Sequence, residues 1–179
     1  MYMAKLETVV KNLSKPLPMD MVDFRVQQVK ANRSGVFAQL LAYKDARTDM
    51  EVLDKYTGGM WQNRYSRDAK GGLVCEIGIK ADDTDDFIWK GDVGTESNTE
   101  SLKGEYSDAF KRAGFRWGIG RELYDYPFIF VNLNPDEYTM NGQYPKAKFS
   151  FKPNSWKWER IDGKLRATDN NGAIRFEEK

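Results

Sequence analysis

The segment from Asp92 to Tyr124 constrains the fold of this chain most, because it reads as a turn, a long helix and a glycine-rich stop. Its apolar residues recur at helical spacing and share about a quarter of the helix circumference. They are Leu102, Tyr106, Ala109, Phe110, Ala113 and Trp117. Ser97 and Glu100 have capping-box spacing, and Gly118-Ile-Gly120 supplies the stop. The pattern predicts one long amphipathic helix over residues 99–117.

The polar side of this predicted helix carries adjacent cations, Lys111 and Arg112, with Arg116 along one flank. Two interpretations remain open. Asp108 could pair with Arg112 at i,i+4 spacing, so that the basic face is only solvated. Alternatively, the cations hold a polyanion. Phe115 lies on the polar side one turn beyond Lys111, and an aromatic ring there indicates a partner that covers it.

The composition argues against most catalytic chemistry. The chain has no histidine, which removes the commonest general base and metal ligand. Its single cysteine, Cys75, lies in the apolar run Leu73–Ile79, so we expect a packed core thiol in a reducing compartment. No P-loop sequence occurs. We therefore expect a non-enzymatic protein with no catalytic residue, no cofactor and no bound metal.

The charge balance gives no global signal for nucleic acid, because the net charge is only +1 over 179 residues. A DNA-binding chain of this kind must concentrate its cations locally. The first residues, Met1-Tyr-Met-Ala-Lys-Leu-Glu, lack the apolar core of a signal peptide, and no apolar run approaches membrane-spanning length. We expect a cytoplasmic protein without a membrane partner.

The central motif resembles that of a known family. Asp92-Val-Gly94, then Ser107-Asp-Ala-Phe-Lys-Arg-Ala-Gly-Phe-Arg-Trp-Gly-Ile-Gly120, then Leu123-Tyr124 are similar in order to the core of the Rad fifty-two / Rad twenty-two family. Its members are ATP-independent single-strand annealing proteins of eukaryotes and, in short versions, of bacteriophages. The similarity covers about residues 15 to 126 and is most specific in the central motif.

The resemblance implies a DNA-binding site, a mode of assembly and further partners. The implied DNA-binding residues are Lys111, Arg112, Arg25, Arg116, Lys80, Lys103 and Phe115. It also implies a homo-oligomer, either a ring or a helical assembly, in the host cytoplasm if the chain is phage-encoded. A phage exonuclease or a host single-strand-binding protein is a candidate partner. Eukaryotic relatives recruit a recombinase through a long tail, and we do not carry this partnership over to the present chain.

The element pattern predicts an α+β fold. An antiparallel β meander packs on one long helix, and a β extension follows; the resemblance implies a core like the family's N-terminal domain, similar to a double-stranded-RNA-binding domain. We expect an annealing core at residues 1–126 and a C-terminal β-rich extension at 127–179. The predicted helices are 4–13 and 45–56 besides 99–117, and the predicted strands are 36–43, 60–65, 73–80, one from 87, 155–161, 164–168 and 173–176. Residues 21–29 are ambiguous, and 127–153 read as aromatic-rich but irregular.

Three functions follow as hypotheses. The first is ATP-independent annealing of single-stranded DNA in homologous recombination and repair, with Phe37 or Tyr43 as candidate base-stacking residues. The second is a protective single-strand binder without annealing activity. The third is a metal-dependent nuclease, which would have to use Glu76 with Lys80 or Asp162 with Lys164, and neither pair has a convincing third ligand. Trp156 and Trp158 share one strand face, where they pack in a core or stack on bases.

Overall fold

The computed structural model describes residues 2–80, 86–95 and 101–179. The predicted N-cap at residues 97–100 lies outside the described residues. The helices are α1 (Tyr2–Leu13), α2 (Ala46–Thr57) and α3 (Ser101–Trp117), and short 3-10 turns occur at Met19–Met21, Arg121–Asp125 and Pro153–Ser155. The strands are β1 (Asp23–Asn32), β2 (Gly35–Tyr43), β3 (Trp61–Arg67), β4 (Leu73–Ile79), β5 (Ile88–Val93), β6 (Ile129–Asn132), β7 (Tyr138–Asn141), β8 (Tyr144–Ala147), β9 (Lys157–Ile161), β10 (Lys164–Thr168) and β11 (Ile174–Glu177). The α+β class predicted from the sequence is confirmed.

The chain forms two compact units that interleave along the sequence. The first comprises Met1–Leu17 and Lys44–Tyr124, and the second comprises Pro18–Tyr43 and Asp125–Lys179. The expected division after residue 126 stays a prediction. Within the described residues, no helix is both long and apolar enough to cross a membrane.

The first unit is an antiparallel sheet of order β3-β4-β5, with α3 packed against β4 and β5. The face of β4 toward the helix buries Cys75, Ile77 and Ile79 completely. Trp117 near the end of α3 is also buried, and its indole nitrogen donates to the carbonyl of Ile77 at 2.9 Å. The predicted packing of the long helix on a meander follows from this alternation of buried and outward residues.

Local sequence signals explain the remaining elements of this unit. Asp45 caps α2 by accepting a hydrogen bond from the Arg47 N–H, and Gly58 ends the helix at φ +64°. Asp68 shapes the β3–β4 turn by accepting hydrogen bonds from the N–H groups of Lys70 and Gly72. Burial raises the pKa of the Cys75 thiol to about 11, as expected for a core cysteine.

The second unit contains an antiparallel sheet of order β1-β2-β6, a second sheet of order β11-β10-β9 and the β7–β8 hairpin. The ambiguous stretch after residue 21 is the strand β1. The expectation that residues 127–153 are irregular is wrong, because this stretch supplies β6, β7 and β8. Its strands have only four residues each, which is too short for the alternation of side chains to be evident in the sequence.

Aromatic side chains build the core of the second unit beside the alternating residues of β2. Phe24 of β1 is buried and stacks on Trp158 with ring centroids 3.6 Å apart. Phe151 meets Trp156 edge to face at 5.5 Å. Of the two roles considered for Trp156 and Trp158, packing and base stacking, the structure shows both rings packed against aromatic residues of this unit.

Candidate nucleic-acid interface

The basic flank of α3 is organised around one carboxylate of the neighbouring strand. Asp92 of β5 accepts a hydrogen bond from Arg116 Nε at 3.0 Å, and Arg112 Nε lies 3.8 Å from its other oxygen. The pairing of Asp108 with Arg112, one of the two interpretations left open by the sequence, is not formed. Asp108 instead accepts hydrogen bonds from the backbone N–H and hydroxyl of Thr95, at 2.9 and 3.0 Å. The two arginines are thus held side by side and remain 41% and 60% exposed.

Gly94 explains why the turn after β5 can sit directly on the helix. A Cβ atom at this position would lie 2.5 Å from the Glu105 carbonyl oxygen and 2.9 Å from the Ala109 Cβ. The Gly94 N–H also donates to the Leu73 carbonyl at 2.9 Å, which continues the β4 pairing. The Asp92-Val-Gly94 motif therefore has a structural role: it presses the strand end onto α3 and positions both arginines.

Lys111 lies above a buried ion pair. Lys44 and Asp49 are almost fully buried and form a short salt bridge with each other, and Lys44 Nζ also lies 3.4 Å from the Lys111 carbonyl oxygen. Burial lowers the pKa of Lys44, and burial raises the pKa of Asp49 to about 6. Among the described residues, no carboxylate lies within ion-pair distance of Lys111 Nζ. The half-buried Lys111 is thus carried by a helix backbone that contacts the buried ion pair through its carbonyl group.

The partner expected to cover Phe115 is found within the same unit. Lys44 Nζ lies 4.3 Å from the centroid of the Phe115 ring, and the ring of Tyr124 lies at 5.1 Å. Arg121 closes the helix end by donating from Nε to the Phe115 carbonyl at 2.7 Å and from a terminal nitrogen to the Arg116 carbonyl at 2.9 Å. The exposed ring at this place is Tyr124, whose surface is 74% accessible.

The other predicted cations of this unit lie at separate places. Lys103 is exposed near the start of α3, about two turns before Lys111. Lys80 follows the end of β4, and its Nζ lies 5.3 Å from the Phe87 ring.

The nuclease hypothesis gains no support, because Glu76 accepts a hydrogen bond from Arg64 at 2.7 Å. No group of three metal-ligating side chains occurs in the part of the chain that the structure describes.

Arg25 belongs to the second unit, where it lies on the outer face of the β1-β2-β6 sheet. Its guanidinium lies 5.4 Å from the centroid of the Tyr43 ring. A bulge between Val26 and Gln28 shifts the register of β1, so that Arg25, Gln28 and Lys30 pair opposite Leu41, Gln39 and Phe37. Strict alternation would have placed Lys30 on the face opposite Arg25. The sequence pattern therefore did not indicate that the two cations share one face.

Aromatic rings cover the rest of this outer face. Phe130 of β6 is 50% exposed and meets Phe37 edge to face at 5.8 Å, while Phe128 lies 6.4 Å from Phe130 and is 79% exposed. Asp23 lies at one end of the face and accepts a hydrogen bond from Asn154 at 2.8 Å. No other described residue of this face is acidic. The sequence pattern missed Phe130 because β6 was not predicted as a strand.

Cations beside exposed aromatic rings are the chemistry of a surface for single-stranded nucleic acid, since phosphates attract the cations and bases stack on the rings. The chain is similar to curated proteins of that class. It is 33% identical over 137 residues to the single-stranded DNA-binding protein DdrA of Deinococcus deserti, which covers 73% of this chain and 63% of that relative. It is 32% identical over 125 residues to DdrA of Deinococcus radiodurans, which covers 69% of this chain and 58% of the relative.

The chain therefore matches less than two thirds of the length of these relatives. No protein-family model matches the chain. No solved structure matches it.

Proposed function

We propose that this chain binds single-stranded DNA and anneals complementary strands without ATP, as a non-enzymatic protein of homologous recombination and repair. The observation that carries the proposal is the outer face of the β1-β2-β6 sheet, where Arg25 and Lys30 flank Phe37, Tyr43 and Phe130 with little acidic charge nearby. The similarity to DdrA proteins, which are named as single-stranded DNA-binding proteins, supports the same substrate.

On α3, the proposed phosphate contacts are Lys111, Arg112 and Arg116. The ion pairs of the two arginines with Asp92 are partly exposed, and such surface pairs stabilise a fold by only about 0 to 1 kcal/mol. A phosphate can therefore compete with Asp92 for these guanidinium groups at little cost. Lys103, Lys80 and Phe115 remain proposed as secondary contacts, of which Phe115 would act through its neighbour Tyr124.

Annealing follows from the way such a surface holds DNA. Cations that contact only phosphates do not read sequence, so the strand is bound in any register. The protein lowers the repulsion between two strands, and base pairing itself supplies the driving force. A closed homo-oligomer, in the manner of the short phage-type Rad fifty-two / Rad twenty-two proteins, would repeat the surface and give tight binding to a chain of net charge +1. A phage exonuclease or a host single-strand-binding protein is the proposed further partner.

The DNA-binding residues are tested by the salt dependence of binding to a fluorescent oligothymidylate. We expect Arg25→Ala and Lys111→Ala each to weaken binding and to reduce the slope of log K against log salt by about 0.7, the value for one lost single-strand phosphate contact. Phe130→Ala should weaken binding by about 1 to 3 kcal/mol with an unchanged slope, because stacking involves no counterion release. The control is Lys70→Ala with Lys164→Ala, two exposed lysines outside both surfaces.

A folded Arg25→Ala, Lys111→Ala double variant that binds with the wild-type slope would refute the site. A protective binder is the second candidate, because the DdrA relatives are named for DNA binding and not for annealing. It would coat single strands and slow their pairing, and an annealing assay separates the two functions.

A further inference from the structure

The segment of residues 138–158 differs in charge from the rest of the chain. It contains four lysines and six aromatic residues but no aspartate or glutamate. The 27 acidic residues among 179 correspond to about three in a stretch of this length. This segment lies beyond the part of the chain that resembles the annealing family, and the function proposed above does not use it.

Part of this segment lines a groove within the second unit. The groove has a volume of about 560 Å³ and runs between β1 and residues 147–155. Phe24, Val26, Phe151 and Pro153 supply apolar walls, and Arg25, Lys148 and Lys152 supply charge. All charged side chains among the described residues that line it are cations. An apolar groove with such a lining is complementary to a ligand that combines flat apolar groups with negative charge.

The groove is held in shape by hydrogen bonds between its two sides. The Asn154 side chain accepts from the Phe24 N–H at 2.7 Å and donates to the Asp23 carboxylate at 2.8 Å. The Trp158 indole donates to the Pro153 carbonyl at 2.8 Å while its ring stacks on Phe24. A preformed site of this kind loses little conformational entropy when it binds.

Phe149 stands at the rim of the groove with 90% of its surface exposed. Lys152 Nζ lies 4.8 Å from the centroid of its ring, so that a flat surface and a cation are presented together. Arg25 belongs both to the groove and to the outer sheet face, where it lies over Tyr43. The groove and the basic and aromatic face already described therefore share Arg25, on the edge strand β1.

We propose that this groove extends the path of single-stranded DNA beyond the sheet face. A base stacks on Phe149, and Lys148 and Lys152 contact the phosphates that follow the one held at Arg25. The inference rests on the proposed function, because it takes single-stranded DNA as the ligand. An acidic peptide would satisfy the cations as well, but the exposed ring and the continuity through Arg25 favour a chain of stacked bases and phosphates.

Two variants and a cross-link test the groove. Lys148→Ala with Lys152→Ala should lower the affinity for a 30-nucleotide oligothymidylate at least tenfold and reduce the salt slope by about 1.4. Phe149→Leu should weaken binding about tenfold with the slope unchanged, and Phe149→Trp should retain wild-type affinity. An oligonucleotide that carries 5-iododeoxyuridine should cross-link to Phe149 on irradiation. Lys70→Ala with Lys164→Ala is the charge-matched control, and circular dichroism checks folding.

The outcomes separate this inference from the function on which it rests. Wild-type affinity in the folded groove variants, with cross-links only outside residues 147–155, overturns the groove and leaves the proposed function intact. Failure of the wild-type protein to bind the oligonucleotide overturns both. If the groove variants bind oligothymidylate normally but lose a labelled peptide of aspartates ending in phenylalanine, the occupant is a protein and the inference is wrong.

Discussion

At the scale of single residues, Gly114 is the position where α3 comes closest to the buried ion pair. A Cβ atom at Gly114 would overlap the Asp49 carboxylate and lie 3.2 Å from Lys44 Nζ. Both partners are buried, and the Oδ2 atom of Asp49 has no hydrogen-bond partner among the described residues. The helix that carries Lys111 can therefore pack this closely on the ion pair only because residue 114 is a glycine and has no side chain.

We expect Gly114→Ala to lower the free energy of unfolding by about 2 kcal/mol. Overpacking against a buried charge outweighs the gain of about 1 kcal/mol in helix propensity that alanine brings. Urea denaturation measures the change. The matched comparison is the same substitution in an Asp49→Ala background, where the overlap is absent and the additional loss should be small. A Gly114→Ala protein as stable as the wild type would contradict the packing described for α3.

At the scale of secondary-structure elements, Arg175 joins β11 to the end of β6. Its two terminal nitrogens donate to the two carboxylate oxygens of Glu137 at 2.8 Å each, and one also donates to the Asn132 carbonyl at 2.9 Å. The other lies 3.3 Å from Asp169. The side chain is only 10% exposed. This network holds the strand that presents Phe130.

The network makes part of the stability depend on pH. Burial acts to raise the pKa of Glu137, but hydrogen bonds from Arg175 and the Asn134 N–H, with the charge of Arg175, outweigh it, and the pKa is lowered. The pKa of Asp169 is lowered chiefly by the hydrogen bond from the Ala173 N–H, with Asn171 and Arg175 also contributing. Carboxylates with a lowered pKa stabilise the fold above the ordinary range near pH 4, and this contribution is lost as the pH falls through their folded pKa values.

Arg175→Met should lower the free energy of unfolding by about 3 kcal/mol at pH 7, because it leaves two carboxylates without their buried partner. The difference from the wild type should shrink as the pH falls below the ordinary carboxyl range near 4 and through the lowered pKa values of the two carboxylates, where they become protonated. Denaturation at a series of pH values measures it. Arg166→Met is the control, since the Arg166–Glu177 pair is more exposed and its loss should cost at most about 1 kcal/mol. A constant difference across this pH range would contradict the assignment.

The elements that the sequence predicted are those fixed by local signals. The apolar face of α3, the Asp45 cap of α2 and the turns between β3 and β4 and between β9 and β10 all lie within a few residues of the structure they determine. β6 was missed because it is short and forms by pairing with the distant β2. The register of β1 depends on a bulge, which no periodicity reveals. Contacts between distant parts of the chain decided both.

In the candidate site as well, local signals were evident in the sequence and contacts between distant parts of the chain were not. Lys111 and Arg112 could be proposed as DNA contacts from the sequence because the polar side of one helix displays them, and this assignment stays a prediction. The partners of these residues were not found, since Asp92 and the Lys44–Asp49 pair come from other elements. One signal for the buried pair was available: Asp49 shares a helix face with Val52 and Leu53, which are both buried. A carboxylate on an apolar face indicates a buried partner.

At the scale of the whole molecule, the proposed function requires a chain of net charge +1 to bind a polyanion, so its cations have to be concentrated locally. Each of the two units meets this condition separately. The first concentrates cations on α3, and the second concentrates them beside aromatic rings on one sheet face. A repeated surface in an oligomer would multiply these local attractions, and repulsion between subunits would be weak because the net charge of each chain is close to zero.

The proposed annealing activity requires the protein to promote pairing of complementary strands. The most direct test follows the renaturation of two complementary dye-labelled oligonucleotides, without nucleotide or divalent metal, in the presence and absence of the protein. We expect faster pairing with the protein, a smaller acceleration at high salt, and little acceleration by the Arg25→Ala, Lys111→Ala double variant. Strands that are bound but pair more slowly than free DNA, or strands that are not bound at all, would contradict the proposed annealing activity.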